Sequence, residues 1–248
     1  MALFQIKIKE MKGISIIIIM SICTTIHSFG QQKPPEIISA ANAAEPPSDA
    51  VVLFNGKDFS EWRKRDGNPP EWKLEDGVMT VIKGKSDILT KRDFGDIQLH
   101  LEWRAPKERK GEGQRRGNSG IFLQDRYEVQ ILDCWNNETY YVGQAGAIYN
   151  QYPPMVNPCR PSGEWQVYDI VYKAPKFSPS DQSLLEEARI SVFMNGVLIQ
   201  DNVVIMGRTD TEKPFYEYHL KQPIRLQDHN DGIEPSVSFR NIWVRELK

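Results

Sequence analysis

A strict alternation of apolar and polar residues between positions 97 and 104 constrains the fold more than any other feature of this 248-residue chain. The alternation consists of Ile97, Leu99, Leu101 and Trp103, separated by Gln98, His100, Glu102 and Arg104. A period of two places successive side chains on opposite faces of a β-strand. The segment therefore predicts a strand with one buried face and one polar face.

Further strands are predicted in short β-rich runs at 78–82, 118–124, 127–131, 165–173, 188–194, 223–228 and 236–245. Asp76-Gly77 and Asn195-Gly196 suit hairpin turns because these residues tolerate a positive φ. In the last strand the apolar parity changes after Phe239, and a bulge at Arg240-Asn241 would restore the phase. We find no internal repeat and no amphipathic helix longer than two turns. The pattern predicts an all-β protein, a two-sheet antiparallel sandwich of the jelly-roll type.

The N-terminal residues have the three parts of a secretion signal. A lysine-rich start precedes an isoleucine-rich core at 14–26, and small residues precede Gln31. We therefore predict a signal peptide at 1–30, a flexible linker at 31–49 and a single domain at 50–248. Export would place the mature protein in the periplasm or outside the cell. Ile22 disfavours a lipoprotein anchor at Cys23, since that processing requires a small residue before the cysteine.

Composition and cysteine usage narrow the classes of function. A chain with 40% hydrophobic and 26% charged residues is typical of a soluble globular domain, and no apolar run after the leader could span a bilayer. The formal net charge of −2 gives no basic excess for binding nucleic acid. Cys134 and Cys159 either pair, which the chain-entropy model values at roughly 3 kcal/mol, or remain buried thiols.

Two long loops differ in their residues. Residues 105–117 carry charges of both signs, which favours a solvated loop. The second loop, 134–163, is rich in aromatic residues, namely Trp135, Tyr140, Tyr141, Tyr149 and Tyr152. Aromatic faces pack against sugar rings, so we interpret this loop as the wall of a cleft, with a cap on the core as the alternative. The tryptophans that we assign to the core are Trp62, Trp72, Trp165 and Trp243.

Several motifs, taken in order, resemble one family. They are Gly117-Asn118-Ser119-Gly120-Ile121-Phe122, Tyr127-Glu128-Val129-Gln130-Ile131-Leu132-Asp133, Gly146-Ala147-Ile148-Tyr149, the segment 161–170, Asn195-Gly196-Val197, Leu226-Gln227-Asp228-His229 and Phe239-Arg240-Asn241-Ile242-Trp243. Across residues 50–248 the chain resembles the 3-keto-disaccharide hydrolases, also described as 3-keto-glucoside 1,2-lyases and 3-keto-2-hydroxy-glucal hydratases. The resemblance implies a concanavalin A-like jelly roll of the lectin and glucanase type, a glycoside or oligosaccharide substrate, and export in bacteria that degrade glycosides.

The chemistry that the resemblance implies begins at a ketone on carbon 3 of the sugar. The ketone acidifies the hydrogen on carbon 2, so a base can remove it while the aglycone leaves from carbon 1 by elimination. Water then adds to the resulting glucal. Such a site needs a base, a group that stabilises the enolate, and an acid for the leaving oxygen.

Four polar residues are the catalytic candidates. We assign the base to Glu128, the acid or proton shuttle to His229 and the stabilisation of negative charge to Arg104. Glu102 would orient Arg104 or bind a sugar hydroxyl. This hypothesis requires the polar faces of their strands to converge in one cleft.

The residues expected to bind substrate are Asn118, Gln130, Trp135, Tyr149 and Arg240. A divalent cation stays open as a cofactor, because a cation stabilises an enolate as well as an arginine does. One alternative is a noncatalytic carbohydrate-binding module, since fold alone does not fix activity. Another is a two-carboxylate glycosidase of the laminarinase kind. Its Glu-x-Asp-x-Glu strand is matched here only by its first acid, because Gln130 and Leu132 replace the others.

Overall fold

The computed structural model describes residues 45–230, 232–233 and 236–248, all within the unit Ile38–Lys248. The predicted signal peptide, Cys23 and most of the predicted linker lie outside the described residues. The described strands are β1 (Val51–Phe54), β2 (Trp62–Lys64), β3 (Lys73–Glu75), β4 (Val78–Thr80), β5 (Ile88–Phe94), β6 (Ile97–Arg104), β7 (Ser119–Leu123), β8 (Tyr127–Ile131), β9 (Gln166–Lys173), β10 (Lys176–Phe177), β11 (Leu184–Glu186), β12 (Arg189–Met194), β13 (Val197–Val204), β14 (Gln222–Leu226) and β15 (Ser238–Glu246). The helical segments of this part of the chain are 3-10 turns at Gly113–Arg115 and Tyr141–Gly143. Neither is long enough to cross a membrane.

The strands form two antiparallel sheets and a short hairpin. Sheet A has the order β13-β12-β9-β6-β15-β4-β3, and β1 pairs with β15. Sheet B has the order β2-β5-β14-β7-β8, and β10 pairs with β11 in the hairpin. The predicted fold class is confirmed: the protein is an all-β, two-sheet antiparallel sandwich of the concanavalin A-like jelly-roll type.

The core lies between the two sheets, and its contacts show which face of each strand points inward. On β6 each apolar member of the predicted alternation is 1% exposed, and the polar residues between them are half-buried. On sheet B, the Tyr127 ring packs against Tyr172 of sheet A, with centroids 6.1 Å apart. The Tyr168 hydroxyl donates to the Gln130 carbonyl at 2.9 Å. Because β8 buries Tyr127 against sheet A, the side chain of Glu128 points to the other face.

The predicted strands, turns and bulge are all present. Asp76-Gly77 joins β3 to β4 with φ values of 52° and 75°, and Asn195-Gly196 joins β12 to β13 with 54° and 81°. The register between β15 and β6 shifts between Arg240 and Trp243, and Asn241 has a φ of 47°. The parity change in the last strand is therefore absorbed by a bulge, as the sequence predicts.

A disulfide and a buried ion pair tie the base of the aromatic loop. Cys134 and Cys159 are bonded, with their Cα atoms 6.1 Å apart, so the pairing alternative holds. Next to this bond, Arg116 Nε lies 3.0 Å from Asp133 Oδ2, and both side chains are buried. The Ser162 hydroxyl donates to Asp133 Oδ2 at 2.7 Å. These contacts hold the loop that connects β8 to β9.

Candidate functional site

The register of sheet B aligns one residue from each of three neighbouring strands on its outer face. Arg225 on β14 pairs with Phe122 on β7, and Phe122 pairs with Glu128 on β8. Residues directly opposite in antiparallel strands point to the same face, with Cβ atoms about 5 Å apart. Arg225, Phe122 and Glu128 therefore form a row across the sheet, on the side away from the core.

The aromatic loop extends this row by one residue. Val129 forms an antiparallel bridge with Ile148, and the Tyr149 N–H donates to the Glu128 carbonyl at 3.2 Å. Tyr149 is consequently the residue opposite Glu128, on the same face. We call Arg225, Phe122, Glu128 and Tyr149 the Glu128 row.

Arg225 is held in a fixed position above Phe122. Its Nη1 lies 2.6 Å from Asp87 Oδ2, and its Nε lies 2.5 Å from Asp125 Oδ1. Its guanidinium carbon is 3.4 Å from the centroid of the Phe122 ring. Arg65 donates two hydrogen bonds to Asp125, at 2.8 and 2.9 Å. Two of the three guanidinium nitrogens of Arg225 are thus occupied, and Nη2 has no protein partner in the described part of the chain.

Glu128 is buried without a partner. It is 5% exposed, and among the described residues its carboxylate makes neither a hydrogen bond nor an ion pair. Gly120 on β7 leaves room for it, because a Cβ at that position would overlap Glu128 Oε1. Burial raises the pKa of Glu128 from 4.5 to about 8, against the opposing charge of Arg225. At neutral pH the group is mainly protonated, and its ionised form is a much stronger base than an ordinary carboxylate.

Two of the predicted substrate-binding residues lie on sheet B but hold the adjoining loop. Gln130 projects to the same face as Glu128 and donates from Nε2 to Gln114 Oε1 at 2.9 Å. Asn118 donates from Nδ2 to the Gln114 carbonyl at 2.7 Å. These residues are 1% and 4% exposed, respectively. Their observed contacts therefore position the loop beside Glu128.

Three other candidates lie on the opposite side of the molecule. Glu102 and Arg104 on β6 project from the outer face of sheet A, where Glu102 Oε2 lies 2.6 Å from Arg240 Nε. The guanidinium carbons of Arg104 and Arg240 are 4.7 and 4.1 Å from the Trp165 ring centroid. The prediction that these faces converge with Glu128 in one cleft is wrong, because the core separates the outer faces of the two sheets.

The four tryptophans assigned to the core do not all belong there. Trp62 and Trp72 belong to the core, as predicted. Trp243 is buried, but it pairs with His100 of β6 and stacks on its ring, with centroids 5.0 Å apart, so it lies on the outer face of sheet A and not in the core. Trp165 is half-buried, and its assignment to the core is wrong. It precedes Gln166, which pairs with the inward-facing Trp103, so its own side chain takes the outer face of sheet A.

His229 and Trp135 lie beyond the ends of their strands. The His229 carbonyl accepts a hydrogen bond from Lys83 Nζ at 2.5 Å, and the Trp135 carbonyl accepts one from Arg116 Nη2 at 2.5 Å. Neither residue bonds to the Glu128 carboxylate. Of the predicted site residues, the register of the described strands places Tyr149 and Gln130 beside Glu128 on its face of sheet B.

Sequence reasoning missed the partner strand of Glu128. Arg225 and Phe122 were not among the candidates, although Arg225 shares its parity with Gln227 and His229 in the predicted strand. That parity was the available signal, but it does not tell which strand lies beside β8.

Among the described residues, no group of three or more His, Cys, Asp or Glu side chains is arranged to hold a metal ion.

The comparisons with known proteins agree with the motifs. A family model described as the 3-keto-alpha-glucoside-1,2-lyase-like domain matches residues 49–245. The chain is similar to a crystal structure of a candidate glycosyl hydrolase from Parabacteroides distasonis ATCC 8503, at 48% identity and a TM-score of 0.83, over 87% of this chain and 93% of that chain. Another candidate glycosyl hydrolase from that organism shares the fold at 22% identity and a TM-score of 0.58, over 81% and 94% of the two chains. No curated protein matches the chain.

Proposed function

The chain belongs to the 3-keto-alpha-glucoside-1,2-lyase-like family, and we propose that it cleaves 3-keto-glycosides by base-catalysed elimination across carbons 1 and 2. Hydration of the glucal product would make the net reaction a hydrolysis. The observation that carries this proposal is the unpartnered Glu128 carboxylate, whose pKa is raised to about 8. Perturbed groups of this kind are concentrated at catalytic sites.

Glu128 supports the proposal because elimination begins by taking a proton from carbon. A base is most effective when its pKa is near the working pH, since it is then both strong and partly ionised. An ordinary glutamate, with a pKa near 4.5, is the weaker base at neutral pH. The buried Glu128 is much closer to this optimum.

Arg225 supplies the positive charge that the elimination needs. Removal of the carbon 2 proton moves negative charge onto the ketone oxygen, and a fixed cation lowers the energy of that enolate. Arg225 replaces Arg104 in this role, because it shares the face of Glu128. Its guanidinium lies over Phe122, one strand from Glu128, with Nη2 left to donate to the substrate.

A two-carboxylate glycosidase fits the geometry less well. That mechanism needs a second carboxyl group about 5 Å from the first in retaining enzymes. The neighbours of Glu128 in its row are Phe122 and Tyr149. The nearby carboxylates are all paired: Asp87 and Asp125 with Arg225, and Asp210 with Arg208. The described residues thus offer no free second acid in the row.

The test is to incubate the protein with a 3-keto-glucoside and, separately, with the unoxidised parent glucoside, each with and without a chelator. Release of aglycone from the keto sugar alone supports elimination, and Glu128→Gln should abolish that release. The matched control is Glu138→Gln, since Glu138 is exposed and forms no ion pair within the described part of the chain. Release from both sugars would contradict the proposal and favour an ordinary hydrolase. Binding without release would contradict it in favour of a binding module.

Export to the periplasm or the outside of a bacterial cell is part of the same proposal. The disulfide between Cys134 and Cys159 supports it, because such bonds persist in oxidising compartments. N-terminal sequencing of the protein from a bacterial periplasm or culture medium should find a start near Gln31. An intact N-terminus on cytoplasmic protein would contradict export.

A further inference from the structure

Two tyrosine hydroxyls beside Glu128 have no role in the chemistry described so far. The hydroxyl oxygens of Tyr140 and Tyr149 are 2.6 Å apart. The two rings meet edge to face, with centroids 6.4 Å apart. In such a pair one hydroxyl donates to the other, and the accepting hydroxyl keeps its own proton for a third group.

Of the two tyrosines, Tyr149 is the one that lies opposite the proposed base Glu128. It pairs with Glu128 across the short bridge between Val129 and Ile148, so the two side chains leave the sheet side by side. Cross-strand neighbours of this kind have Cβ atoms about 5 Å apart. Glu128 and Tyr149 can therefore reach adjacent atoms of one sugar ring, while Arg225 approaches from the other side of Glu128.

Tyr140 has a built position next to Tyr149. Its carbonyl accepts the Gly143 N–H at 3.0 Å, and a Cβ at position 143 would overlap the Tyr140 ring. The Gly143 carbonyl in turn accepts hydrogen bonds from Gln114 and Gln130, at 2.9 and 3.3 Å. Tyr140 is 45% exposed, so its hydroxyl can exchange protons with solvent.

Elimination from carbon 1 needs an acid, because an alkoxide is a poor leaving group. We propose that Tyr149 donates a proton to the glycosidic oxygen and that Tyr140 supplies the replacement proton. This inference rests on the proposed function and assigns the group that the site still lacks. Tyr149 takes the acid role that we predicted for His229, because Tyr149 lies opposite Glu128.

In the proposed elimination one proton leaves the sugar and another reaches the aglycone. The bond between carbon 2 and its hydrogen breaks, the proton goes to Glu128, and the electron pair forms the double bond between carbons 1 and 2. The bond from carbon 1 to oxygen breaks, and its electron pair stays with the aglycone oxygen. That oxygen takes the Tyr149 proton, and Tyr149 regains one from Tyr140, which exchanges with water.

The electrostatic surroundings keep Tyr140 protonated. Burial, the hydrogen bond to Tyr149 and the charge of Glu128 all raise the pKa of Tyr140 above its usual value. The hydroxyl therefore keeps its proton throughout the neutral range and can pass it to Tyr149 as Tyr149 donates its own. A tyrosine with a lowered pKa would instead be suited to act as a base.

The test uses a series of 3-keto-glucosides with different leaving groups, from methyl to 4-nitrophenyl. An acid matters for methanol, a poor leaving group, and much less for nitrophenol. Tyr149→Phe should lower kcat/KM for the methyl substrate roughly 100-fold or more and for the nitrophenyl substrate less than about 5-fold. Tyr140→Phe should show the same trend with smaller losses. The control is Tyr218→Phe, since Tyr218 is 38% exposed, contacts Phe177 of the β10–β11 hairpin and lies outside the aromatic loop, so it should react at the wild-type rate across the series.

Two results would overturn the inference while leaving the proposed function intact. One is an equal loss across all leaving groups in Tyr149→Phe, which would indicate a positioning role. The other is a dependence on the leaving group in His229→Gln that is missing in Tyr149→Phe. A wild-type protein that releases no aglycone from any 3-keto-glucoside would instead refute the proposed function itself. Thermal unfolding of each variant separates these outcomes from loss of the fold.

Discussion

Replacing Glu128 by Gln should stabilise the protein at neutral and alkaline pH, although it removes the proposed base. The folded protein holds the Glu128 proton more tightly than the unfolded chain, because the carboxyl is buried without a hydrogen bond. Between pH 4.5 and about 8 the unfolded chain therefore loses this proton while the folded protein keeps it. The free energy of unfolding falls with pH across that window. A glutamine does not titrate and escapes this loss.

The magnitude follows from the two pKa values. Each unit of difference corresponds to about 1.4 kcal/mol, so the rise from 4.5 to about 8 amounts to about 5 kcal/mol above pH 8. At pH 7 about 3 kcal/mol of that has developed, and at pH 4 almost none has. The glutamine amide also lacks partners in this position, and its burial costs about 1–3 kcal/mol at every pH. The test is therefore how the difference in the free energy of unfolding between Glu128→Gln and the wild type changes with pH.

The assay is thermal or guanidinium unfolding of the wild type and Glu128→Gln at pH 4, 5.5, 7 and 8.5. For a domain of this size, 1 kcal/mol corresponds to about 2–4 °C in Tm. The Tm of the variant should therefore gain about 6–12 °C relative to the wild type between pH 4 and pH 7. Glu138→Gln, at an exposed position, is the control for removing one carboxylate. A difference between Glu128→Gln and the wild type that does not change with pH would refute the reasoning, because Glu128 would then ionise as it does in the unfolded chain.

Other perturbations test the site and the loop. For a 3-keto-glucoside, kcat/KM should rise with pH to a plateau with an apparent pKa near 8, since only ionised Glu128 accepts a proton; a rise completed near pH 5 contradicts this. Arg225→Lys should lower kcat about 100-fold, because lysine cannot pair with two carboxylates and donate to an enolate. Steady-state kinetics against Arg63→Lys, at the far edge of sheet B, would show whether the loss is specific. Replacing both Cys134 and Cys159 by Ala should lower Tm by about 6–12 °C in calorimetry, from about 3 kcal/mol of cross-linking; an unchanged Tm contradicts it.

Alternation predicted those strands that bury a single face. In β6 every second residue packs against the other sheet, and the burial of the strand repeats the sequence pattern. The turns at Asp76-Gly77 and Asn195-Gly196 were equally readable, because few residues tolerate their backbone angles. The bulge at Arg240-Asn241 could be predicted for a related reason. A strand can change the parity of its buried face only by inserting a residue.

Other strands gave no such signal. β2 and β3 have three residues each, which is too short for a period to be recognised. β5 buries three consecutive residues and then exposes three. The polar residue Thr90 is among the buried ones, and its hydroxyl donates to the Arg92 carbonyl at 2.7 Å. Its contacts with β2 and β14 determine this pattern, and they join residues far apart in the chain. Local periodicity cannot report such contacts.

The prediction of the candidate site failed for the same reason, because the sequence shows the faces of a strand but not which strands lie beside it. Parity placed both Glu102 and Glu128 on polar faces, which is correct for each strand. A sandwich has two outer faces, however, and parity does not say which sheet a strand joins. Glu102 and Arg104 entered sheet A, and Glu128 entered sheet B next to Phe122. Only the register between strands shows that Arg225 is the basic residue in the row of Glu128.

The two glutamates also differ in what their surroundings leave for chemistry. Glu102 accepts hydrogen bonds from Arg240 and Asn241, at 2.6 and 2.9 Å, so its charge is already neutralised and its oxygens are occupied. Glu128 has no such partner in the part of the chain that the structure describes, so ionising it costs the folded protein free energy. Binding a proton or a ligand recovers that free energy. Because the same desolvation raises its basicity, stability and activity should respond to pH in opposite directions: stability falls over the range in which the base becomes active. A surface carboxylate paired for stability would show neither trend.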